Sequence, residues 1–341
     1  MEQDIISLIR KLAPDLTDEI ARRALILERI GTLQPVGRRQ LAYKLNLPER
    51  EIRNTAFILK DLGYIDLNAS GMTLTDRADD ILEQARAFSK ALSGLTDMEN
   101  TLSSRLGVEH VLIAPGDSDI DLQALNDIGR ICAVRLRAML QSGNTLAVTG
   151  GRTISAVAKS IQPQTPLNIM VVPARGGLGR SVELQANTMA SEIANRFGGH
   201  YRLIHLPDHV DNAAMQEMLK EPEVSEAMEL LQRADLILHG IGKAEETMKE
   251  RKLGRKEQAM LNEHEAKGEC FGAYFNIKGK CLLKSSSVGV DLGKLSPTCR
   301  MIAAAGGSSK AEAIISVLRH YPHQLLVTDE GAARQILNLT E

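Results

Sequence analysis

The chain has 341 residues, 43% of them hydrophobic and 3% aromatic, with four cysteines, no tryptophan and a formal charge of −2. That length predicts about two domains with a sizeable core. The absence of long apolar runs and of a basic stretch at Met1-Glu-Gln-Asp4 leads us to expect a cytoplasmic protein with no membrane partner. Cys132, Cys270, Cys281 and Cys299 form no Cys-x-x-Cys pair and read as thiols of a reducing compartment. So few aromatics are poor material for stacking on single-stranded nucleic acid.

The charge is unevenly spread. Residues 21–60 carry nine Lys/Arg against three Asp/Glu, a balance of +6 that leaves −8 elsewhere. A basic module on an acidic body points to a polyanion-binding end.

Residues 4–13 have a helical pattern that stops at Pro14. Thr17 is placed to cap a second helix, with Ile20, Ala24, Leu27 and Ile30 as its apolar stripe, and Pro35 ends it. A short helix is predicted over Arg38–Leu45. A third runs over Pro48–Leu62, with proline favoured at its first position and Ile52, Thr55 or Ala56, Leu59 and Leu62 facing inward. Tyr64–Leu67 and Met72–Thr75 alternate about a turn-rich tip, as a β-hairpin does. Three helices and a hairpin, the third helix basic, make a winged helix-turn-helix. In that arrangement Arg50, Arg53 and Asn54 reach bases or phosphates of double-stranded DNA. Arg38, Arg39 and Lys60 complete the DNA-facing set. The competing reading is a helical cap with a solvated basic face.

Residues 76–106 are predicted as a connecting helix. Ile81, Phe88, Leu95 and Leu102 repeat every seven residues, Ala85, Leu92 and Leu106 fill companion positions, and Glu99 does not fit. It serves either as a dimer seam or as a domain-packing helix, with Gly94 a point of interruption. The expected layout is thus 1–75 for the DNA-binding domain, 76–106 for the linker or dimerisation helix and 107–341 for an α/β domain.

In that third part, apolar runs at Val111–Ile113, Thr145–Val148, Asn168–Val172, Asp235–Leu238, Met301–Ala305 and Gln324–Val327 read as strands. Helical patterns alternate with them, notably Leu122–Gln141 and Ser181–Phe197, which predicts a Rossmann-like, doubly wound parallel sheet. Five runs end in glycine turns: Thr149-Gly-Gly-Arg-Thr153, Ala174-Arg-Gly-Gly-Leu-Gly179, Gly240-Ile-Gly-Lys243, Gly306-Gly-Ser-Ser-Lys310 and Asp329-Glu-Gly331. None is a dinucleotide fingerprint or a P-loop. At the carboxyl edge of a parallel sheet they would gather Arg152, Arg175, Lys243 and Lys310 around a small, multiply anionic ligand. The Gly306–Lys310 turn is the expected centre, its amides pointing outward to a phosphate. Glu269, on the Gly268–Gly272 loop, reads as an acceptor for sugar hydroxyls or as a plain surface charge. His205 and His209 have metal-ligand spacing, but Pro207 between them reads as a loop, so no metal is expected.

Several ordered stretches together resemble the SorC family of bacterial sugar-responsive transcription regulators, over nearly the whole length. They are Pro35-Val-Gly-Arg-Arg39, Gly71-Met-Thr-Leu-Thr75, Val148-Thr-Gly-Gly-Arg-Thr153, Val172–Gly179, His239-Gly-Ile-Gly242, Gly306–Ile314 and Val327–Ala333. The resemblance implies a repressor of glycolytic genes that forms dimers or tetramers on its operator. It also implies an effector domain folded like sugar-phosphate isomerases and deaminases but used as a sensor, with fructose-1,6-bisphosphate as effector and no cofactor. It places the sugar phosphate against Thr149, Gly150, Gly151, Arg152, Thr153, Arg175, Gln185, Arg251, Glu269 and Lys310. Arg152 departs from the pattern, which has a small polar residue there. The rival readings are a sugar-phosphate isomerase or deaminase using Glu269 or Asp329 as base, and a plain carbohydrate-binding module that ignores the basic end.

Overall fold

The structure, a computed structural model, describes residues 12–45, 47–78, 81–82, 84–85, 94–163, 165–176, 182–204, 217–284, 289–290 and 292–340. The predicted helix over 4–13 falls almost wholly outside them. So do Phe88 and Leu92 of the heptad pattern, Gly177–Gly179, and the His205/His209 pair. The chain divides into two compact units, Met1–Thr96 and Asp97–Glu341.

The first unit holds α1 (Pro14–Leu33), α2 (Arg38–Leu45), α3 (Glu49–Asp61), β1 (Ile65–Asn68) and β2 (Gly71–Leu74). Pro14 opens α1, one residue after the preceding helical stretch ends at Leu12. Proline lacks the amide that the first turn leaves unpaired anyway. Thr17 consequently lies inside α1, buried, and Ile20 is exposed. Pro48 is the residue before α3, and Leu62, expected inside, is half exposed beyond its end. Ile26, Leu27, Ile30, Leu41, Ile52, Ala56, Leu59, Ile65 and Met72 form one core. The strands pair antiparallel from Ile65↔Leu74 to Asn68↔Gly71. Val36, before α2, exchanges backbone bonds with Met72 in both directions, at 2.8 and 3.2 Å. Gly71 allows this approach: a Cβ there would meet the Val36 backbone at 2.8–2.9 Å, and its φ is +132°.

The expected connecting helix is not continuous. Gly94 takes φ +72°, and α4 (Leu95–Leu106) starts afresh after it. Leu95 and Leu102 are fully buried, and Glu99, the misfit in the heptad, accepts a bond from the Ile113 amide at 2.7 Å.

The second unit continues with β3 (His110–Ala114), α5 (Leu122–Met139), β4 (Thr145–Val148), α6 (Arg152–Ser160), β5 (Met170–Pro173), α7 (Ala186–Phe197), β6 (His200–Tyr201), α8 (Pro222–Gln232) and β7 (Leu236–His239). After β8 (Gly242–Lys243) come α9 (Ala244–Glu250), α10 (Arg255–Glu263), β9 (Ala266–Cys270), β10 (Ala273–Asn276), β11 (Cys281–Lys284), β12 (Arg300–Ala304), α11 (Ala311–Leu318), β13 (Leu325–Asp329) and α12 (Glu330–Leu339). Seven strands form one sheet, ordered β3-β13-β12-β7-β4-β5-β6. Every pairing in it is parallel. Its strands are apolar runs because both faces are covered. Leu146, Val148, Leu236 and Leu238 face one core, and Ala147 and Ile237 face the other.

From β4 the chain steps outward to β5 and β6, then returns to β7 and steps the other way to β12. The connections therefore diverge between β4 and β7, which opens a crevice at their carboxyl ends. A second sheet, β11-β10-β9-β8, is antiparallel and was not foreseen. Glu269 lies on its strand β9, not on a loop.

Candidate functional site

The crevice is framed by two glycine turns. Gly150 follows β4, and a Cβ on it would fall on the Leu184 carbonyl oxygen and 3.0 Å from the Ala186 amide. This contact fastens the turn to the segment before α7, as does the bond from the Gly151 amide to the Leu184 carbonyl, 2.8 Å. The predicted helix over Ser181–Phe197 is shorter than expected for this reason. Val182–Leu184 is a 3₁₀ turn, Gln185 is extended, and the α-helix begins at Ala186. The second turn follows β7. The Gly240 amide donates to the Thr149 hydroxyl at 3.1 Å, tying the two turns together.

Glycines end two strands of this edge just before a helix, with opposite results. At Gly151, φ +111°, helix α6 starts with no side-chain cap. The amides of its first turn (Arg152, Thr153, Ile154) face the crevice, with the positive end of the helix dipole behind them. At Gly306–Ser309, the expected centre, the amides are already taken. Gly307 N donates to Asp329 Oδ2 at 2.7 Å, Ser308 N to Asp117 Oδ1 at 3.2 Å, and Ser309 N to Asp119 Oδ2 at 2.8 Å. Three carboxylates close this turn against a phosphate. Hydrogen bonds from Asp119 and Ser308 hold the Asp117 carboxyl below its usual range, against the larger opposing effect of partial burial. Asp117 and Asp119 were missed because they arrive from the β3–α5 connection, about 190 residues away in sequence.

Lys310 donates its ammonium to the Ile241 carbonyl at 3.2 Å. Burial lowers its pKa most, and the Arg152 guanidinium lowers it further. Among the described residues neither Lys310 nor Arg152 forms an ion pair. Lys243 lies alongside, held by Glu246 at 2.6 Å and within 3.5 Å of the Ser309 hydroxyl.

Glu269 organises the other side. Its Oε1 accepts from Arg175 Nη1 at 2.9 Å and from the Gly272 amide at 2.7 Å, and it stands 3.4 Å from Arg251 Nη2. The side chains of Arg175 and Glu269 are 6% and 7% exposed, so Glu269 is no surface charge. Phe271 and Gly272, with φ of +52° and +82°, make the tight turn that aims the Gly272 amide at it. Gly242 brings the two sides together, since a Cβ there would lie 3.4 Å from Glu269 Oε2.

Behind the crevice, His239 Nε2 is 2.8 Å from His323 Nε2, and Cys270 Sγ is 3.5 Å from His239 Nδ1. Burial pushes His239 down to about 3 and His323 down to about 4. Both rings are neutral at pH 7 and pass one hydrogen bond between them. A cavity of about 570 Å³ lies elsewhere, at the amino ends of β3, β12 and β13, with Arg135, Arg300, Glu99 and Glu109 in its lining.

The structure thus gathers the Thr149–Thr153 turn, Arg175, Arg251, Glu269 and Lys310 at one edge, with Gln185 at the start of α7. Neither proposed catalytic base is available. Asp329 is fully buried and accepts from Ser118 N at 2.8 Å, Gly307 N at 2.7 Å and Ala332 N at 2.9 Å, and Glu269 is held by arginine. In the first unit, Arg38, Arg39, Arg50, Arg53, Asn54 and Lys60 are all exposed. Arg50, Arg53 and Asn54 share the face of α3 opposite its buried stripe.

The sugar-binding domain family matches residues 90–338, and the CggR N-terminal DNA binding domain matches residues 20–88. The chain is 37% identical to the central glycolytic genes regulator of Priestia megaterium, over 98% of each chain. It is 36% identical to that of Bacillus subtilis, again over 98% of each. A SorC family transcriptional regulator from Enterococcus faecalis is 35% identical with a TM-score of 0.67, covering 71% of this chain and 99% of that one. The full-length sorbitol operon regulator of Klebsiella pneumoniae shares the fold, with a TM-score of 0.65 over 94% of this chain and 98% of that one at 18% identity.

Proposed function

Because this chain belongs to the SorC family of transcription regulators and is not an enzyme, we propose that it represses glycolytic genes and is controlled by fructose-1,6-bisphosphate bound in the β4/β7 crevice. The regulated genes follow the two relatives named as central glycolytic genes regulators. The observation that carries the effector class is the half-buried ammonium of Lys310 beside the exposed Arg152 guanidinium, with no ion pair to either among the described residues. Two cations side by side, one of them partly desolvated, favour an anion.

In this reading one phosphate sits over the uncapped start of α6, against the Gly150–Gly151 turn, held by the Arg152 and Thr153 amides and by the Arg152 and Lys310 side chains, while the Gly151 amide stays on the Leu184 carbonyl. The Thr149 hydroxyl stays on the turn-to-turn bond. Arg175 and Arg251 take the second phosphate while Glu269, between them, accepts sugar hydroxyls, and Gln185 lines the same crevice. The effector loosens or rearranges dimers or tetramers held on operator DNA through Arg38, Arg39, Arg50, Arg53, Asn54 and Lys60. Reciprocal weakening of effector and operator by about 1–3 kcal/mol is the usual scale of such coupling.

The test is fluorescence anisotropy on a duplex from the protein's own promoter region, with and without fructose-1,6-bisphosphate, using wild type, Lys310→Ala and Arg152→Ala. The sugar is expected to weaken or loosen the wild-type complex, and both variants to need at least tenfold more of it. DNA binding that no sugar phosphate alters would sink the effector assignment.

A further inference from the structure

Helix α3 makes a full turn every 3.6 residues, so positions 50, 53, 54 and 57 lie together on one side. The opposite side, Ile52, Thr55, Ala56 and Leu59, is buried. Three of the outer four are the polar residues suited to DNA. The fourth is Phe57, 49% exposed, lying between Arg53 and Arg50 around the helix. The ring is apolar surface set among cations, and covering it on binding is favourable.

The cover must match both the ring and its surroundings. Arg50, Arg53 and Lys60 form no ion pair among the described residues. A second copy of this face would set those cations against their own kind. A phosphate-lined groove neutralises them instead. On the floor of the major groove the only apolar group on a base edge is the thymine C5-methyl, which phenylalanine can contact.

We propose that Phe57 is a specificity-determining residue that reads a thymine methyl in each operator half-site, between the polar contacts of Arg50, Arg53 and Asn54. This rests on the DNA-binding reading of α3. Burying one methyl corresponds to roughly fourfold in affinity per half-site, and a paired site compounds it.

The operator need not be known to test this. Full-length protein is used to select duplexes from a random pool made with thymidine. The best selected site is then remade with deoxyuridine, which lacks only the methyl, one position at a time. Wild type is expected to lose about fourfold at one thymine per half-site and nothing at the others. Phe57→Ala and Phe57→Gln are expected to bind thymine and uracil duplexes equally, while Phe57→Leu retains part of the difference. Because the ring is exposed, circular dichroism of the variants is expected to match wild type. The uracil comparison on wild type needs no variant at all. Selection that succeeds with no uracil-sensitive position, or variants that keep the same thymine preference, would overturn the role of Phe57 and leave DNA binding standing. Failure of the wild type to select any duplex would overturn both.

Discussion

Replacing Glu269 with glutamine keeps the shape of the side chain and removes only its charge. The wild-type carboxylate receives Arg175 at 2.9 Å and the Gly272 amide at 2.7 Å, with Arg251 at 3.4 Å. The glutamine oxygen can still accept from Gly272, so the backbone turn survives. What is lost is the countercharge to guanidiniums whose side chains are only 6% and 12% exposed. Removing one partner of a buried pair costs about 3–5 kcal/mol, because the remaining charge stays desolvated. Arg251 keeps some water, so the lower end, about 3 kcal/mol, is expected. With a urea m-value of about 2–3 kcal/mol/M, that is a midpoint roughly 1–1.5 M lower. Far-UV circular dichroism of the full-length protein at pH 7 reads it, since the chain has no tryptophan. Glu245→Gln is the control: its pair with Lys249 is exposed (71% and 76%), and its midpoint is expected to stay put. Inorganic phosphate is expected to raise the midpoint of Glu269→Gln more than that of wild type, by returning an anion to the two arginines. A midpoint for Glu269→Gln within about 0.2 M of wild type, on the same m-value scale, would refute the assignment of Glu269 as their obligatory countercharge.

Gly150→Ala is expected to cost about 2–4 kcal/mol by the same measurement, through overpacking against the Leu184 carbonyl and loss of the Gly151–Leu184 bond. The two buried histidines set an acid limit. Their pKa values fall from 6.5 to about 3 and about 4 on folding. Between pH 6.5 and about 4 the unfolded chain takes up protons that the folded one refuses. Stability therefore drops as pH falls, by up to about 1.4 kcal/mol per unit per histidine. His323→Gln is expected to show a shallower drop over that window in urea titrations; an unchanged slope would remove the pair as its source. Arg53→Ala is expected to reduce the slope of log affinity against log salt by about one, seen by anisotropy at several salt concentrations.

The parallel sheet was legible because its strands are buried on both faces and so read as unbroken apolar runs, with glycine turns marking their ends. The winged helix-turn-helix was legible because three amphipathic helices and an alternating hairpin follow one another locally. What escaped was non-local or conformational. Strand β8 has two residues and β9 contains Gly268, so neither carries a strand pattern, and Glu269 was placed on a loop. The turn at Gly306 has the composition of a phosphate cradle, yet nothing nearby in sequence shows that Asp117, Asp119 and Asp329 fill it. The equally glycine-rich turn at Gly150 stays open. Only the long-range partners tell the two apart. Leu62 was placed inside by its spacing, but α3 ends before it.

The two-way bond between Val36 and Met72 makes the DNA-binding head a single casting. The hairpin tip, the start of α2 and the outward face of α3 keep fixed mutual distances, because the hairpin is riveted to the segment that leads into α2. If the proposed effector acts on paired copies of this head, it would act through the spacing at which the two are offered to the DNA. Its effect would then show as half-sites gained or lost whole, with each remaining half-site read as faithfully as before.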